Sequence, residues 1–347
     1  METRLITIDE NNIDEELLRG PASSLREGGL VIFPTETVYG VGGDATRASA
    51  AEKIYAAKGR PSDNPLIVHI AAPEDAEKIA YTTPLFYRLA AAFMPGPLTV
   101  ILEKKDIIPR QTTGGLDTVA VRCPSHPVAS ALIRLSGVPV AAPSANISGR
   151  PSATDADTAF DDFKGRVDWI IGSGSSVIGL ESTIVKPTGD DSLILLRPGA
   201  VTADDLSCVC GKVEISESVE KAVGADERPV CPGMKYRHYA PKKPLFLVEG
   251  TADERLAYLA SAAKDGASVI CYAEQAETVP AERRIVIGKE KDLETQARLL
   301  FSALRLADRL PGDVIYANLP PREGLGLALR NRLLRAAAHN VIEAGTK

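Results

Sequence analysis

Short apolar runs alternate with amphipathic segments through the first two hundred residues of the chain. The apolar runs are bounded by Gly, Pro or polar clusters and predict strands, whereas a spacing of three to four residues between apolar positions predicts helices. The predicted strands are Leu30–Phe33, Leu66–Ile70, Leu98–Leu102, Val119–Arg122, Val138–Ala142, Trp169–Ile171, Ser182–Val185 and Leu193–Arg197. The predicted helices are Ala48–Ala57, Glu74–Ala80, Pro84–Phe93, Pro127–Leu135 and Asp155–Phe163. Because strands outnumber helices, we expect an α/β domain built on a mixed, twisted sheet.

The alternation stops and then resumes in the last third of the chain. Residues 206–243 are rich in Pro and charge, and they predict a linker between a domain at 1–205 and a second domain at 244–347. In the second domain the alternation of strands and helices is cleaner, which predicts a smaller, Rossmann-like, doubly wound parallel sheet. Its elements are predicted at Leu245–Val248, Ala252–Ala263, Ser268–Tyr272, Arg284–Ile287, Leu293–Arg309, Asp313–Tyr316 and Leu325–Ala338.

Composition narrows the class of protein. The 347 residues are 44% hydrophobic and 25% charged, which is typical of a globular protein of two domains. We expect no membrane contact, since no apolar run approaches the roughly 20 residues that span a bilayer. The first residues lack a signal-peptide pattern, and five cysteines do not suggest a disulfide framework, so we expect a cytoplasmic location. The net charge of −6 argues against a protein that coats polyanions.

Several common catalytic motifs are absent from the sequence. It contains no Walker A motif, no nucleophile elbow and no His-Glu-x-x-His zinc helix. The glycine-rich run Gly40–Gly43 lacks dinucleotide-binding spacing and predicts a turn. Cys208, Cys210 and Cys231 with His238 match no common zinc module, so we expect free thiols rather than a metal site.

Polar motifs lie at the ends of five predicted strands and at the end of one predicted helix. The first is Pro34-Thr35-Glu36-Thr37-Val38-Tyr39-Gly40, and the next is Lys58-Gly59-Arg60-Pro61, which closes a helix and is followed by Asn64-Pro65. Favourable interaction with the helix dipole would explain Lys58 and Arg60, but Gly59 and Pro61 fix a tight turn that aims both cations one way. The remaining motifs are Thr118-Val-Ala-Val-Arg122, Ala142-Pro143-Ser144-Ala145-Asn146, Glu181-Ser182-Thr183 and Arg197-Pro198-Gly199.

Together these strand ends predict a polar, cationic concavity without a nucleophile or a paired general acid and base. Thr118 and Arg122 share one face of a strand, where Arg122 is suited to fork a carboxylate or phosphate. Transfer of a nucleotidyl group needs positioning and charge neutralisation more than covalent chemistry by the protein. The pattern therefore favours an enzyme that handles nucleotides.

These motifs closely resemble the threonylcarbamoyl-AMP synthases of the YrdC-like family, in their long two-domain form. The resemblance spans essentially the whole chain, including Pro232-Gly233-Met234-Lys235-Tyr236-Arg237-His238-Tyr239-Ala240-Pro241, which marks the long form. It implies synthesis of threonylcarbamoyl-adenylate and pyrophosphate from L-threonine, bicarbonate or CO₂, and ATP, with Mg²⁺ accompanying the ATP. Other proteins would then move the threonylcarbamoyl group onto tRNA.

The resemblance also implies roles for individual residues. Lys58 would act near the reacting carbamate together with Arg60, and Tyr236 would close over the site as a lid. The residues implied for threonine are Thr35, His69, Arg122, Ser144 and Ser182. Those implied for ATP are Arg60, Asn64, Thr118, Asn146, Ser152, Arg197 and Tyr236.

Other functions remain open at this stage. A cationic concavity also suits an RNA-binding module, although aromatic residues make up only 5% of the chain and leave few platforms for base stacking. A carbamoyl-transfer domain of the same fold is a second alternative, and a regulatory role for the cysteine-bearing linker is a third. Arg322, Arg330, Arg332 and Arg335 would give a weak tRNA contact or, as we expect, a solvated helix face.

Overall fold

The structure is a computed structural model that describes residues 2–221, 229, 231–232 and 238–345. By its internal contacts the chain divides into two compact units. The first comprises residues 1–148, 152–177 and 181–235, and the second comprises 149–151, 178–180 and 236–347. Within the described ranges, no helix is both long enough and apolar enough to cross a membrane.

The first unit is built on a mixed sheet. Its strands are β1 (Arg4–Thr7), β2 (Val31–Phe33), β3 (Gly40–Asp44), β4 (Ile67–His69), β5 (Ala80–Tyr81), β6 (Leu98–Lys104), β7 (Thr118–Arg122), β8 (Val140–Ala141), β9 (Trp169–Gly172), β10 (Thr183–Gly189), β11 (Ser192–Arg197) and β12 (Lys212–Ile215). They lie in the order β1-β9-β2-β3-β8-β4-β7-β6-β10-β11-β12, with β5 paired to β6. Parallel pairs such as β4–β7 occur beside antiparallel pairs such as β6–β7, which confirms the predicted mixed sheet.

Helices pack on both faces of this sheet and form two apolar clusters. The helices are α1 (Glu15–Arg26), α2 (Ala48–Lys58), α3 (Ala76–Ile79), α4 (Pro84–Phe93), α5 (Pro127–Ser136), α6 (Ala156–Phe163) and α7 (Ala203–Ser207), with 3₁₀ turns at Pro73–Asp75 and Glu217–Val219. One cluster contains Leu18 and Leu25 of α1 with Val128 and Leu132 of α5. The other is larger and contains the apolar side chains of α2, α4 and α6.

The glycine-rich run after β2 differs from the prediction. Gly40–Asp44 is a buried strand rather than a turn, and it pairs antiparallel with β2 and with β8. A Cβ atom on Gly42 would lie 2.7 Å from both Phe33 Cε1 and Val140 Cγ1. The glycine therefore serves close packing between neighbouring side chains, which a reading of local turn propensity misses.

Ordered structure also continues into the segment predicted as a linker. Lys212–Ile215 forms β12, which pairs in parallel with β11 at the edge of the large sheet. Val213 is partly buried and the other three residues of β12 are exposed, so buried and exposed positions do not alternate along the strand. Its sequence therefore carries no clear amphipathic signal. Edge strands of this kind are fixed by pairing with a neighbour more than by their own pattern.

The second unit is a five-stranded sheet in which every pairing is parallel. This confirms the smaller, doubly wound, parallel C-terminal domain. Its strands, in the order β15-β14-β16-β13-β17, are β13 (Leu245–Glu249), β14 (Ser268–Cys271), β15 (Arg284–Val286), β16 (Ile315–Asn318) and β17 (Val341–Glu343). Its helices are α8 (Ala252–Lys264), α9 (Leu293–Ala307) and α10 (Gly324–Ala336), with 3₁₀ turns at Ala273–Thr278 and Ala281–Arg283.

The arginines of α10 are not a solvated face, so that prediction is wrong. Arg330, Arg332 and Arg335 are 6%, 0% and 6% exposed. Arg330 pairs with Glu249 at 3.1 Å, and the guanidinium carbon of Arg332 lies 5.8 Å from the ring centre of Tyr239. Arginine tolerates burial where its donors and its planar face find partners, which the sequence of one helix cannot reveal.

Candidate active site

Four neighbouring strands direct polar side chains to the same face of the large sheet. Because side chains alternate along a strand, His69 shares a face with Ile67, and Arg122 shares one with Thr118. The register places His69 beside Arg122 across β4 and β7, and Thr99 beside Arg122 across β6 and β7. Thr118 and Arg122 thus share a face as predicted, but they lie at opposite ends of β7, roughly 13 Å apart.

Ser182 and Arg197 extend this polar row along the sheet. The hydroxyl oxygens of Thr99 and Ser182 are 2.7 Å apart. Arg197 donates from Nη2 to Ser182 Oγ at 3.1 Å and from Nε to the Ser182 carbonyl at 3.0 Å. All three side chains are buried, so the row is fixed by its own hydrogen bonds. Thr99 sits within an apolar strand, and sequence reasoning missed it.

The loop after β2 folds on itself around Thr35. Its hydroxyl donates to the Val38 carbonyl at 2.6 Å and lies 2.8 Å from the hydroxyl of Thr37. Ser176 donates to the Thr35 carbonyl at 3.0 Å, which fixes the loop from outside. Proline at position 34 ends the strand, and the threonine hydroxyls then replace the missing backbone bonds.

Glu36 lies within this loop and forms an ion pair with Arg122. The carboxylate Oε1 and the guanidinium Nη2 are 2.7 Å apart, with both side chains buried. Burial raises the pKa of Glu36, but the positive charge of Arg122, its hydrogen bond and the backbone amides of Glu36 and Ser125 together outweigh burial, so the pKa is lowered. Sequence reasoning quoted Glu36 within its motif yet did not choose it. The only signal in the sequence was a carboxylate in the loop that directly follows a buried strand.

His69 is held as a neutral imidazole. Its Nδ1 lies 3.2 Å from the Ile67 carbonyl, and its ring meets Phe33 edge to face. Burial, followed by the positive charge of Arg122, lowers the pKa of His69 to about 3. A neutral ring can accept or donate one hydrogen bond to a ligand without adding charge.

Lys58 joins the two most specific motifs. It is the last residue of α2, and Gly59 follows in the left-handed conformation at φ 62°. The Lys58 ammonium donates to the main-chain oxygens of Ser144 and Asn146, the latter at 2.6 Å. Burial, and next the charge of Arg60, lower the pKa of Lys58 well below its usual value.

The remaining predicted residues lie in adjoining loops. Arg60 donates to the carbonyl oxygens of Asn64 and Pro65 at 3.2 and 3.0 Å. Ser144 donates to the side-chain oxygen of Asn146 at 2.6 Å. Ser152 donates to Glu181 at 2.5 Å, so Glu181 is a further residue that the predicted set omitted. Tyr236 lies outside the described residues.

Two cysteines of the segment predicted as a linker contact main-chain oxygens nearby. Cys208 and Cys210 interact with the nearby carbonyl oxygens of Asp204 and Lys212. The part of the chain that the structure describes contains no group of three or more His, Cys, Asp or Glu side chains placed to hold a metal ion.

Comparison with known proteins agrees with this fold. Residues 23–199 match the Sua5, YciO and YrdC family model described as "Telomere recombination", and residues 201–338 match the "Threonylcarbamoyl-AMP synthase, C-terminal domain" model. The chain therefore has the YrdC-like fold class, and the solved structure of E. coli YciO shares that fold at a TM-score of 0.51 and 24% identity, covering 57% of this chain and 96% of that one.

Two relatives are similar over nearly their whole length. Threonylcarbamoyl-AMP synthase of Bacillus subtilis is 43% identical over 339 residues, covering 96% of each chain. The crystal structure of Pyrococcus abyssi Sua5 complexed with L-threonine has a TM-score of 0.90 and 42% identity, covering 98% of this chain and 99% of that one. The chain belongs to the threonylcarbamoyl-AMP synthase family, in its long two-domain form. It is an enzyme of the nucleotidyltransferase class.

Proposed function

We propose that this enzyme makes L-threonylcarbamoyladenylate and pyrophosphate from L-threonine, bicarbonate or CO₂, and ATP. The observation that carries the proposal is the Lys58 ammonium bonded to Ser144 and Asn146, which unites the Lys58-x-Arg60 and Ser144-x-Asn146 motifs in one place. The P. abyssi relative solved with L-threonine supports an amino acid as one substrate.

The threonine site would lie on the face of the sheet that carries His69 and Arg122. Arg122 offers a fork for the substrate carboxylate, and the neutral His69 and the hydroxyl of Ser182 lie on the same face. Thr35 and Ser144 would complete the site from the two flanking loops. A hydrogen bond to the substrate hydroxyl is the means by which threonine would be chosen over alanine or valine.

The nucleotide would lie toward Lys58 and the loops that follow α2. Asn64 supports this, because its side-chain oxygen is buried and has no hydrogen-bond partner among the described residues. A ligand donor would satisfy that oxygen. The other residues proposed for ATP are Arg60, Thr118, Asn146, Ser152, Arg197 and Tyr236.

Lys58 and Arg60 would reduce the electrostatic repulsion between the two anionic reactants. The carbamate formed from threonine is an anion, and it must approach the α-phosphate of ATP, which is also anionic. Two nearby cations in a buried site reduce that repulsion by several kcal/mol. The lowered pKa of Lys58 fits this role, because an anion beside it would restore its charged form.

Mg²⁺ would enter bound to the phosphates of ATP. The described residues offer carboxylates singly, such as Glu181, rather than as a cluster that would hold a metal ion alone. Magnesium usually keeps several waters and binds through phosphate oxygens with one or two carboxylates, so this donor set suits it. When bound, it would help to neutralise the phosphate charge.

The adenylate would then serve threonylcarbamoyladenosine modification of tRNA through separate transfer proteins. A cytoplasmic location stays a prediction. The experiment that tests the reaction is incubation with ATP and labelled bicarbonate, with and without L-threonine. We expect a labelled adenylate and pyrophosphate only with threonine present. ATP turnover that is independent of threonine, or steeply salt-sensitive RNA binding without turnover, would contradict the proposal.

A further inference from the structure

A pocket in the second unit is lined by none of the residues given a role in the proposed reaction. It has a volume of about 450 Å³ and is bounded by the C-terminal end of α8 and by the loops that precede β14 and β16. Because β14 and β16 are parallel neighbours, these two loops meet at the amino-terminal edge of the sheet. The chemistry of the lining indicates what the pocket would hold.

Two half-buried tyrosines form one wall of the pocket. The rings of Tyr258 on α8 and Tyr316 on β16 lie edge to face, with their centres 5.6 Å apart. Tyr316 also stacks on Phe246 of β13 at 5.7 Å, so its ring is held in place from the side of the sheet. The faces of aromatic rings carry a negative electrostatic potential and attract cations. A wall of this kind favours a positively charged ligand.

Two exposed aspartates also line the pocket. Asp265 is the C-cap of α8, and Asp313 lies in the loop before β16. Among the residues that the structure describes, neither aspartate forms an ion pair. Arg283 reaches the same loops, but it donates to the Gly266 carbonyl. The C-terminal end of a helix carries partial negative charge, so α8 adds to the attraction for a cation.

A third part of the lining is small and apolar. It consists of Ala262, Ala267 and Val314. Such a surface suits methylene groups, which long cationic side chains bury while their charged ends stay in polar surroundings. A guanidinium group is planar, stacks on aromatic faces and donates in a fork to carboxylates, whereas an ammonium group is a compact, strongly hydrated charge. The lining therefore matches an alkyl guanidinium better than an alkyl ammonium.

We propose that this pocket binds a guanidinium group carried on an alkyl stem. Asp265 and Asp313 accept its N–H groups, and the ring of Tyr316 lies against its plane. The small apolar side chains contact the stem. An arginine side chain of another protein and a free alkyl guanidine present the same chemistry, and the choice of probes separates these two sources. The inference goes beyond the proposed function and does not depend on it.

The test is fluorine NMR on the full-length protein labelled with 3-fluorotyrosine. The chain has nine tyrosines, and the variants Tyr258→Phe and Tyr316→Phe assign the two resonances of the pocket. The probes are agmatine, which is a free alkyl guanidine, and a blocked pentapeptide with one arginine between glycines. We expect both resonances to shift in a saturable manner. Saturation by the peptide identifies a protein segment as the source of the ligand, and saturation by agmatine alone identifies a small molecule.

Matched probes and variants test charge and shape separately. A peptide with citrulline, the neutral isostere of arginine, should bind about 10-fold more weakly. A peptide with lysine should also bind more weakly than the arginine peptide. Asp265→Asn and Asp313→Asn should each weaken binding of the arginine probe about 2- to 5-fold. Asp253→Asn, which changes an exposed aspartate in the first turn of the same helix, should leave it unchanged.

Three results would overturn the inference. The first is an absence of saturable shifts with both guanidinium probes, and the second is equal binding of the citrulline or the lysine peptide. The third is an equal effect of Asp253→Asn and the two pocket variants, because only the overall charge of the unit would then matter. The titrations contain neither ATP nor threonine, so these outcomes leave the proposed function standing.

Discussion

The ammonium group of Lys58 lies 2.6 Å from the main-chain oxygen of Asn146, a residue 88 positions further along the chain. The bond connects the C-terminal end of α2 with the loop that follows β8. Lys58 is almost fully buried, and burial lowers its pKa; the negative charges of Asp162 and Glu181 oppose that shift only in part. This arrangement gives the first prediction.

Lys58→Ala should abolish pyrophosphate release that depends on ATP and threonine while the protein stays folded. Removing a preorganised cation from a buried site costs about 100-fold or more in rate. Lys53→Ala is a matched control, because Lys53 lies on the same helix and donates instead to the Gly28 carbonyl at the outer surface. A pyrophosphate assay and a circular dichroism spectrum are needed for both variants. Near-normal turnover by Lys58→Ala would refute the role given to this lysine.

The neutral state of His69 predicts a loss of stability in mild acid. Burial lowers its pKa to about 3, whereas an unfolded chain takes up the proton near pH 6.5. Between these values the unfolded state binds more protons, so stability falls as the pH falls. Between pH 7 and pH 5 this amounts to about 2 kcal/mol.

Urea unfolding of the wild type and of His69→Gln at both pH values measures that contribution. The unfolding free energy of the wild type should fall more between pH 7 and pH 5 than that of His69→Gln, by about 2 kcal/mol. In the folded wild type, the His69 ring resonances should not titrate between pH 5 and pH 8. A titration near pH 6.5 in the folded protein would show that the ring is solvated.

Gly42→Ala should destabilise the first unit because β3 has no room for a side chain there. The added Cβ would lie 2.7 Å from atoms of Phe33 and Val140, and the expected cost is about 1–3 kcal/mol. Gly40→Ala, on the same strand, would meet its nearest neighbour at 3.4 Å and should change stability little. Thermal unfolding monitored by fluorescence compares the two. Equal unfolding midpoints for the two variants would mean that β3 has room for a side chain at Gly42.

Arg332→Ala should destabilise the second unit. Arg332 has no exposed surface, donates to Asn331 at 2.9 Å and packs over Tyr239. Losing a buried, partnered guanidinium costs about 2–4 kcal/mol. Arg309→Ala changes an exposed arginine just beyond α9 and should stay within about 0.5 kcal/mol of the wild type. Chemical denaturation gives the free energy of unfolding of both variants. An unchanged free energy for Arg332→Ala would mean that this side chain is solvated, as the sequence had predicted.

Much of the fold could be predicted because the determining signals are local. Thr83 accepts a hydrogen bond from the Phe86 amide at the start of α4, as expected of a threonine that precedes Pro84. Regular apolar runs likewise indicated the parallel strands of the second unit. Gly42 and Arg332 were misjudged because their roles depend on residues distant in sequence, namely Val140 for the first and Tyr239 for the second.

In the candidate site, too, local signals could be predicted from the sequence and long-range partners could not. Strand ends marked by proline and small polar residues indicated where polar groups would gather, since such loops adjoin the sheet. The partners of those groups could not be predicted in this way. Thr99 pairs with Ser182 because β6 and β10 are neighbours in the sheet. Glu36 reaches Arg122 from the loop after β2, a strand that is not adjacent to β7. The order of residues along the chain states neither relationship.

The central claim is that cations gathered at strand ends allow two anionic reactants to meet. The most direct test is a crystal structure of the protein soaked with L-threonine and a non-hydrolysable ATP analogue. We predict that threonine contacts Arg122, that the phosphates contact Arg60, and that Lys58 lies between the amine of threonine and the α-phosphate. Ligands bound in separate regions, with Lys58, Arg60 and Arg122 directed away from one another into solvent, would contradict the account.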